Sequence, residues 1–70
     1  MKNRVNVKAV LTFEEYKLEV LKGINKEYNN NVPFLIEVSE IERCYNNNED
    51  IQEAIDSTIE ESMAWDFHNL

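Results

Sequence analysis

The sequence predicts an α+β fold: one small domain spanning residues 1–70, in the order β-α-β-α-α, with a two-stranded sheet covered by helices. Three observations lead there. Three N-capping signatures, each followed by apolar residues at helical spacing, mark three helices. Two short β-branched segments, one before the first helix and one after it, carry strand-like patterning. Seventy residues with seven aromatic side chains supply one small core and little more.

Taken in order, Arg4 to Leu11 alternates Val5, Val7, Ala9 and Leu11 against Arg4, Asn6, Lys8 and Val10, and reads as the first strand. The same residues leave a second reading open. Val5, Ala9 and Tyr16 also continue a helical stripe leftward, which would make the chain an all-α three-helix bundle. The capping box Thr12-Phe13-Glu14-Glu15 then opens a helix over about Phe13 to Tyr28, with Phe13, Tyr16, Val20, Ile24 and Tyr28 on one stripe and Leu21 beside it. Gly23 inside that helix costs about 1 kcal/mol relative to Ala, so it marks either a close backbone contact or an early end. Asn29-Asn30-Asn31 stops the helix, because Asn tolerates the left-handed conformation.

Val32 to Val38 is the second strand, with Pro33 near its start where a strand tolerates it. Ser39-Glu40-Ile41-Glu42 is the second capping box and opens a short helix over Glu40 to Tyr45, burying Ile41, Cys44 and Tyr45. Asn46-Asn47-Asn48 ends it. Asp50-Ile51-Gln52-Glu53 is the third box. The helix after it carries the cleanest periodicity in the chain, with Ile51, Ala54, Ile55, Thr58, Ile59 and Met63 on one face.

Composition narrows the function classes. At 43% hydrophobic and 30% charged residues the chain is globular rather than disordered. A core together with a deep substrate cavity of about 300 Å³ or more needs a larger scaffold than this, which weighs against an enzyme, and no catalytic motif is present. Cys44 is the single cysteine, on the inner face of its helix, so no internal disulfide or thiolate cluster forms. His68, the single histidine, lies two residues from the end and has no rigid partner for catalysis. Asn46, Asn48 and Asp50 have the alternate spacing of a calcium loop but lack its glycine and its bidentate Glu, since the twelfth position is Ser57. No cofactor or metal is expected. No apolar run approaches the ~18 residues of a membrane span, and no signal peptide is read, so the expected location is cytoplasmic.

Charge is the most informative feature. Residues 1–36 carry six cations against four acids, a net of +2; residues 37–70 carry ten acids against Arg43 alone, a net of −9. Such a surface repels nucleic acid and acidic membrane and attracts basic protein surfaces. On the last helix Glu49, Glu53, Asp56 and Glu60 recur at spacings of four, three and four, and Glu61 and Asp66 extend the series. Neighbouring carboxylates on such a ridge stand about 5–6 Å apart, close to the roughly 6–7 Å between successive phosphates of a nucleic acid strand. No Lys or Arg offsets them on this helix. The competing reading is a solvated face that keeps a small protein in solution. Trp65 follows as an apolar anchor for a partner, or, with Phe67, folds back to close the core.

The run Pro33-Phe34-Leu35-Ile36-Glu37-Val38, with Ser39-Glu40-Ile41-Glu42, Tyr45 and Asn48-Glu49-Asp50-Ile51-Gln52-Glu53-Ala54-Ile55, is similar to a segment of some longer bacterial proteins of unknown function. That resemblance, shared by Thr12-Phe13-Glu14-Glu15-Tyr16, implies a strand-helix-helix order and no activity. Asn48 stands where those proteins have Gly. In size and charge alone the chain also looks like the small inhibitors that bacteriophages and mobile elements encode, anti-CRISPR and anti-restriction proteins among them.

The expectation is therefore a non-enzymatic acidic binding protein: a nucleic-acid mimic that inhibits a nuclease or other nucleic-acid-binding protein. Glu49, Glu53, Asp56, Glu60, Glu61 and Trp65 would meet the partner. The rival from another class is a protein-interaction module, an antitoxin-like partner or small complex subunit that binds through apolar residues. A homodimer would bury surface that so small a chain leaves exposed.

Overall fold

The computed structural model describes residues 7–68, with side chains to residue 64, and every regular element among them is a helix. The elements are α1 (Val7–Val10), α2 (Phe13–Glu27), α3 (Val38–Asn46) and α4 (Ile51–His68). The expected two-stranded sheet is absent among the described residues, and the three-helix bundle is the architecture found. The long α4 packs against both α2 and α3, and α1 is a one-turn lead that touches α3. The core is Tyr16, Val20 and Ile24 from α2, Ile41 and Cys44 from α3, Ala54 and Ile55 from α4, and Val7.

Both strand expectations fail for identifiable reasons. In the first segment the described part, Val7–Val10, is helical, while residues 1–6 lie outside the described residues. Val7 is buried, Leu11 is half-buried, and Ala9 and Val10 are exposed. A pair spaced by four satisfies a period of two as well as the helical period, so Val7 and Leu11 fit either reading. The second segment does alternate: Val32, Phe34 and Ile36 are half-buried while Pro33 and Leu35 are exposed. That alternation reflects packing onto the helices, with Phe34 edge-on to Tyr28 at 5.4 Å. A strand also needs a partner ladder, and α1 offers none.

Helix ends follow local chemistry closely. At α2 the Thr12 hydroxyl accepts from the Glu15 N–H, and the Glu15 carboxylate accepts from the Thr12 N–H. Asp50 and Glu53 make the same reciprocal pair at α4. The two Asn triplets close α2 and α3 with the same motif. Asn29 (φ 52°) and Asn48 (φ 57°) take the left-handed conformation just past each helix. The following N–H reaches back five residues, Asn30 to the Asn25 carbonyl at 2.7 Å and Glu49 to the Cys44 carbonyl at 3.0 Å. Asn48 does a second job, since its side-chain oxygen accepts from the Val7 N–H at 2.6 Å and ties α1 down.

The box expected at Ser39 does not form. α3 begins at Val38, its N-cap is Glu37, and no side chain of the segment caps it. Ser39 instead donates to the Glu37 carboxylate. The Glu37 N–H is satisfied from across the bundle, by the buried Ser62 hydroxyl of α4 at 2.8 Å. Gly23 marks a close approach and not an end. α2 runs through it to Glu27, and a Cβ there would lie 2.9 Å from Ile55 Cγ1 and closer still to Cδ1.

Candidate functional site

Charge on this chain is sorted into an inner and an outer set. The inner set gathers at the α3–α4 seam around Arg43, the single cation of residues 37–70. Glu40 lies on the face of α3 that meets α4, and its side chain keeps only 9% of its exposure. Arg43, one turn on and half exposed, grips that carboxylate with two donors, Nε to Oε1 at 2.9 Å and Nη2 to Oε2 at 2.5 Å. Ser57 of α4 donates to the same Glu40 oxygen, and its hydroxyl is 3.2 Å from Arg43 Nη2. Glu49, in the turn before α4, comes within 3.5 Å of Arg43 Nη1. One guanidinium therefore joins α3, the following turn and α4, the two-pronged geometry for which Arg is suited.

This arrangement sets the local titration. The Arg43 hydrogen bonds hold the Glu40 carboxyl below the usual carboxylate range, helped by Ser57 and opposed by burial. Glu40 in turn holds Arg43 above its already high value. Burial pushes the Cys44 thiol up to about 11, reinforced by the charge of Glu49 and Glu40. At neutral pH Cys44 is a protonated, buried thiol, the opposite of what a nucleophile or soft-metal ligand needs. Among the described residues no three His, Cys, Asp or Glu side chains converge as metal ligands. No described helix is long and apolar enough to cross a membrane.

The outer set lies on α4. Glu53, Asp56 and Glu60 are exposed and fall on the side of the helix opposite the buried Ala54, Ile55, Thr58 and Ser62. Asp56 accepts from the Gln52 amide at 3.1 Å, and one Glu53 oxygen closes the capping box. The other expected members are placed differently. Glu49 precedes the helix, is only 22% exposed and spends its charge on Arg43. Glu61 is exposed on the α3 flank, where it shares a cleft of about 360 Å³ with Glu37, Ser39 and Glu40. The side chain of Trp65 lies outside the described residues, although α4 runs past it as helix. The outward face is thus three carboxylates over two turns, with Glu61 to one side.

Sequence reasoning missed the Glu40–Arg43–Ser57–Glu49 junction. A signal was present, because ten acids must share one cation and Glu40 stands three residues from it. Treating Glu40 as part of a capping box hid that. Comparisons with protein-family models, curated proteins and solved structures give no match for this chain.

Proposed function

We propose that this is a non-enzymatic acidic binding protein of the cytoplasm that occupies a basic, nucleic-acid-binding groove on an enzyme and so inhibits it, in the manner of an anti-CRISPR or other anti-defence protein. The observation that supports this reading is the outward face of α4. Glu53, Asp56 and Glu60 stand exposed on a rigid helix that carries no Lys or Arg from end to end. An ordinary solvated helix mixes signs and gains about 0.2–0.5 kcal/mol from each opposite-charge pair at i,i+4. Here Asp56 and Glu60 repel at that spacing, an arrangement that a binding partner with cationic side chains would relieve.

The test is capture of partners from cell lysate at about 0.1 M salt, where exposed charges still act over about 10 Å. Excess DNA and RNA oligonucleotides compete in parallel. The reading expects a nucleic-acid-binding protein that the oligonucleotides displace and that Asp56→Lys/Glu60→Lys no longer retains. Glu53 is spared because it also closes the α4 capping box. Retention of the same partner by the double-Lys variant, or indifference to the oligonucleotides, would end the mimicry reading.

A further inference from the structure

α2 carries a second, different stripe on its outer side. Glu14, Leu18, Leu21 and Asn25 follow one another at spacings of four, three and four, the seam periodicity of a coiled coil. Leu18 is 53% exposed, and the two leucines floor a shallow groove of about 290 Å³. At about 100° per residue, Leu18 and Leu21 lie about 140–160° around α2 from Gly23, the point at which α2 meets Ile55 of α4. Leu18 therefore faces away from the rest of the bundle, while Leu21 stands at the edge of the buried face and packs partly against the core.

From this we infer that the stripe is the docking surface for a second copy of the chain, paired antiparallel about a two-fold axis. The argument is self-complementarity. Reversed against itself, Leu18 meets Leu21 and Glu14 meets the amide of Asn25. Glu15 on the flank comes opposite Lys22, twice by symmetry. Glu15 and Lys22 are both exposed. Glu15 has one carboxylate oxygen on the Thr12 N–H and the other left for Lys22, which would exchange its 3.8 Å contact with Glu19 of its own helix. A foreign basic partner would be drawn to α4 instead, because the outer side of α2 carries both signs. The geometry also suits a molecule of net charge −7. Joining two copies through the side of α2 remote from α4 keeps the two acidic faces apart. A helix of 15 residues is about 22 Å long, so the contact is at the small end of specific interfaces. Its dimer forms between about 10 μM and 1 mM.

The experiment is sedimentation velocity across that concentration range, and it is independent of the α4 reading. Expected is a weight-average mass rising from that of one chain toward that of two, with Asp56→Lys/Glu60→Lys behaving like the parent. Leu18→Glu should weaken association about tenfold or more while helicity by circular dichroism is retained. Orientation is read by mild oxidation of variants that each add one surface cysteine to Cys44. A mixture of Glu14→Cys and Asn25→Cys should cross-link to each other in preference to themselves, with Cys44 buried in both. A single-chain mass at about 1 mM, undiminished dimer in Leu18→Glu, or equal self-cross-linking would overturn the proposal.

Discussion

Replacing Gly23 by Ala sets two effects of known size against each other. Ala is the better helix former by about 1 kcal/mol, and Gly23 lies inside α2, where that gain would be realised in full. Against it stands the space. An added methyl would lie 2.9 Å from Ile55 Cγ1 and closer to Cδ1, where carbon atoms rest at about 3.5–4.0 Å. Ile55 is 5% exposed and part of the core, and it borders the open cleft lined by Gly23, Lys26, Glu27 and Gln52, so turning aside takes its methyl out of the core. Relief requires an off-rotamer Ile55 or a separation of α2 from α4, and overpacking of that kind costs about 1–3 kcal/mol. The net expectation for Gly23→Ala is a loss of roughly 0–2 kcal/mol, up to about 8–16 °C in Tm at this size. Ile55→Val shortens the offending side chain and alone costs about 0.5–1.5 kcal/mol. Combined with Gly23→Ala it should cost less than the two together, a favourable coupling read from a double-mutant cycle of urea midpoints. If Gly23→Ala gains the full 1 kcal/mol and the cycle shows no coupling, the close approach of α2 to α4 is refuted.

Other predictions rest on groups inside the bundle. The Thr58 hydroxyl is fully buried without a hydrogen-bond partner, so Thr58→Val should stabilise the protein by about 1–2 kcal/mol in urea unfolding; a loss instead would mean that the hydroxyl is satisfied. Ser62→Ala removes the acceptor of the half-buried Glu37 N–H and should cost about 0.5–1.5 kcal/mol in urea unfolding. Glu40 titrates below its ordinary value, so its contribution is complete above about pH 4.5 and fades as pH falls; Glu40→Gln should flatten that acid limb. Cys44 titrates above its ordinary value, so its contribution is complete below pH 9.0 and is lost as pH rises toward about 11, roughly 2–3 kcal/mol in all. Cys44→Ala should remove that share of the alkaline loss, measured as the pH dependence of the urea midpoint.

Helix ends and most of each helix face were legible in the sequence because they depend on residues a few positions apart, although Met63, expected on the buried face of α4, is 50% exposed and Ser62 is buried in its place. Thr12 with Glu15 and Asp50 with Glu53 cap as their spacing requires, and both Asn triplets terminate helices. What could not be read depends on residues far apart. The cap on Glu37 comes from Ser62, twenty-five positions on, and nothing near Ser39 signals that it is displaced. The β reading failed on a degeneracy: Val7 and Leu11 satisfy both periods, and only the absence of a partner strand decides between them. Of the acidic series, spacing alone placed Glu53, Asp56 and Glu60 on one face. Spacing could not show that Glu49 would turn to Arg43, since that contact is set by the turn between α3 and α4.

The division of acids between inside and outside has a single cause. Burying a carboxylate without a partner is far more costly than leaving it in water, so Glu40 can face α4 only with a cation beside it. Arg43 is the sole cation within its half of the chain, and its guanidinium has donors for more than one carboxylate. Glu40 takes two of them and Glu49 comes within reach of a third nitrogen, so the seam holds two acids with one positive charge. The other described acids of that half stay where water reaches them, and on α4 Glu53, Asp56 and Glu60 do so on the side opposite Ala54, Ile55, Thr58 and Ser62, with Glu61 on the α3 flank. A Lys introduced at position 56 changes the outer face, whereas position 60 stands three residues from Ser57, so a Lys there also comes near the junction of Glu40, Arg43 and Ser57. The Asp56 and Glu60 substitutions therefore report on binding once circular dichroism shows that the double-Lys variant keeps its helicity, since Asp56 also accepts from Gln52 and Glu60 neighbours Ser57.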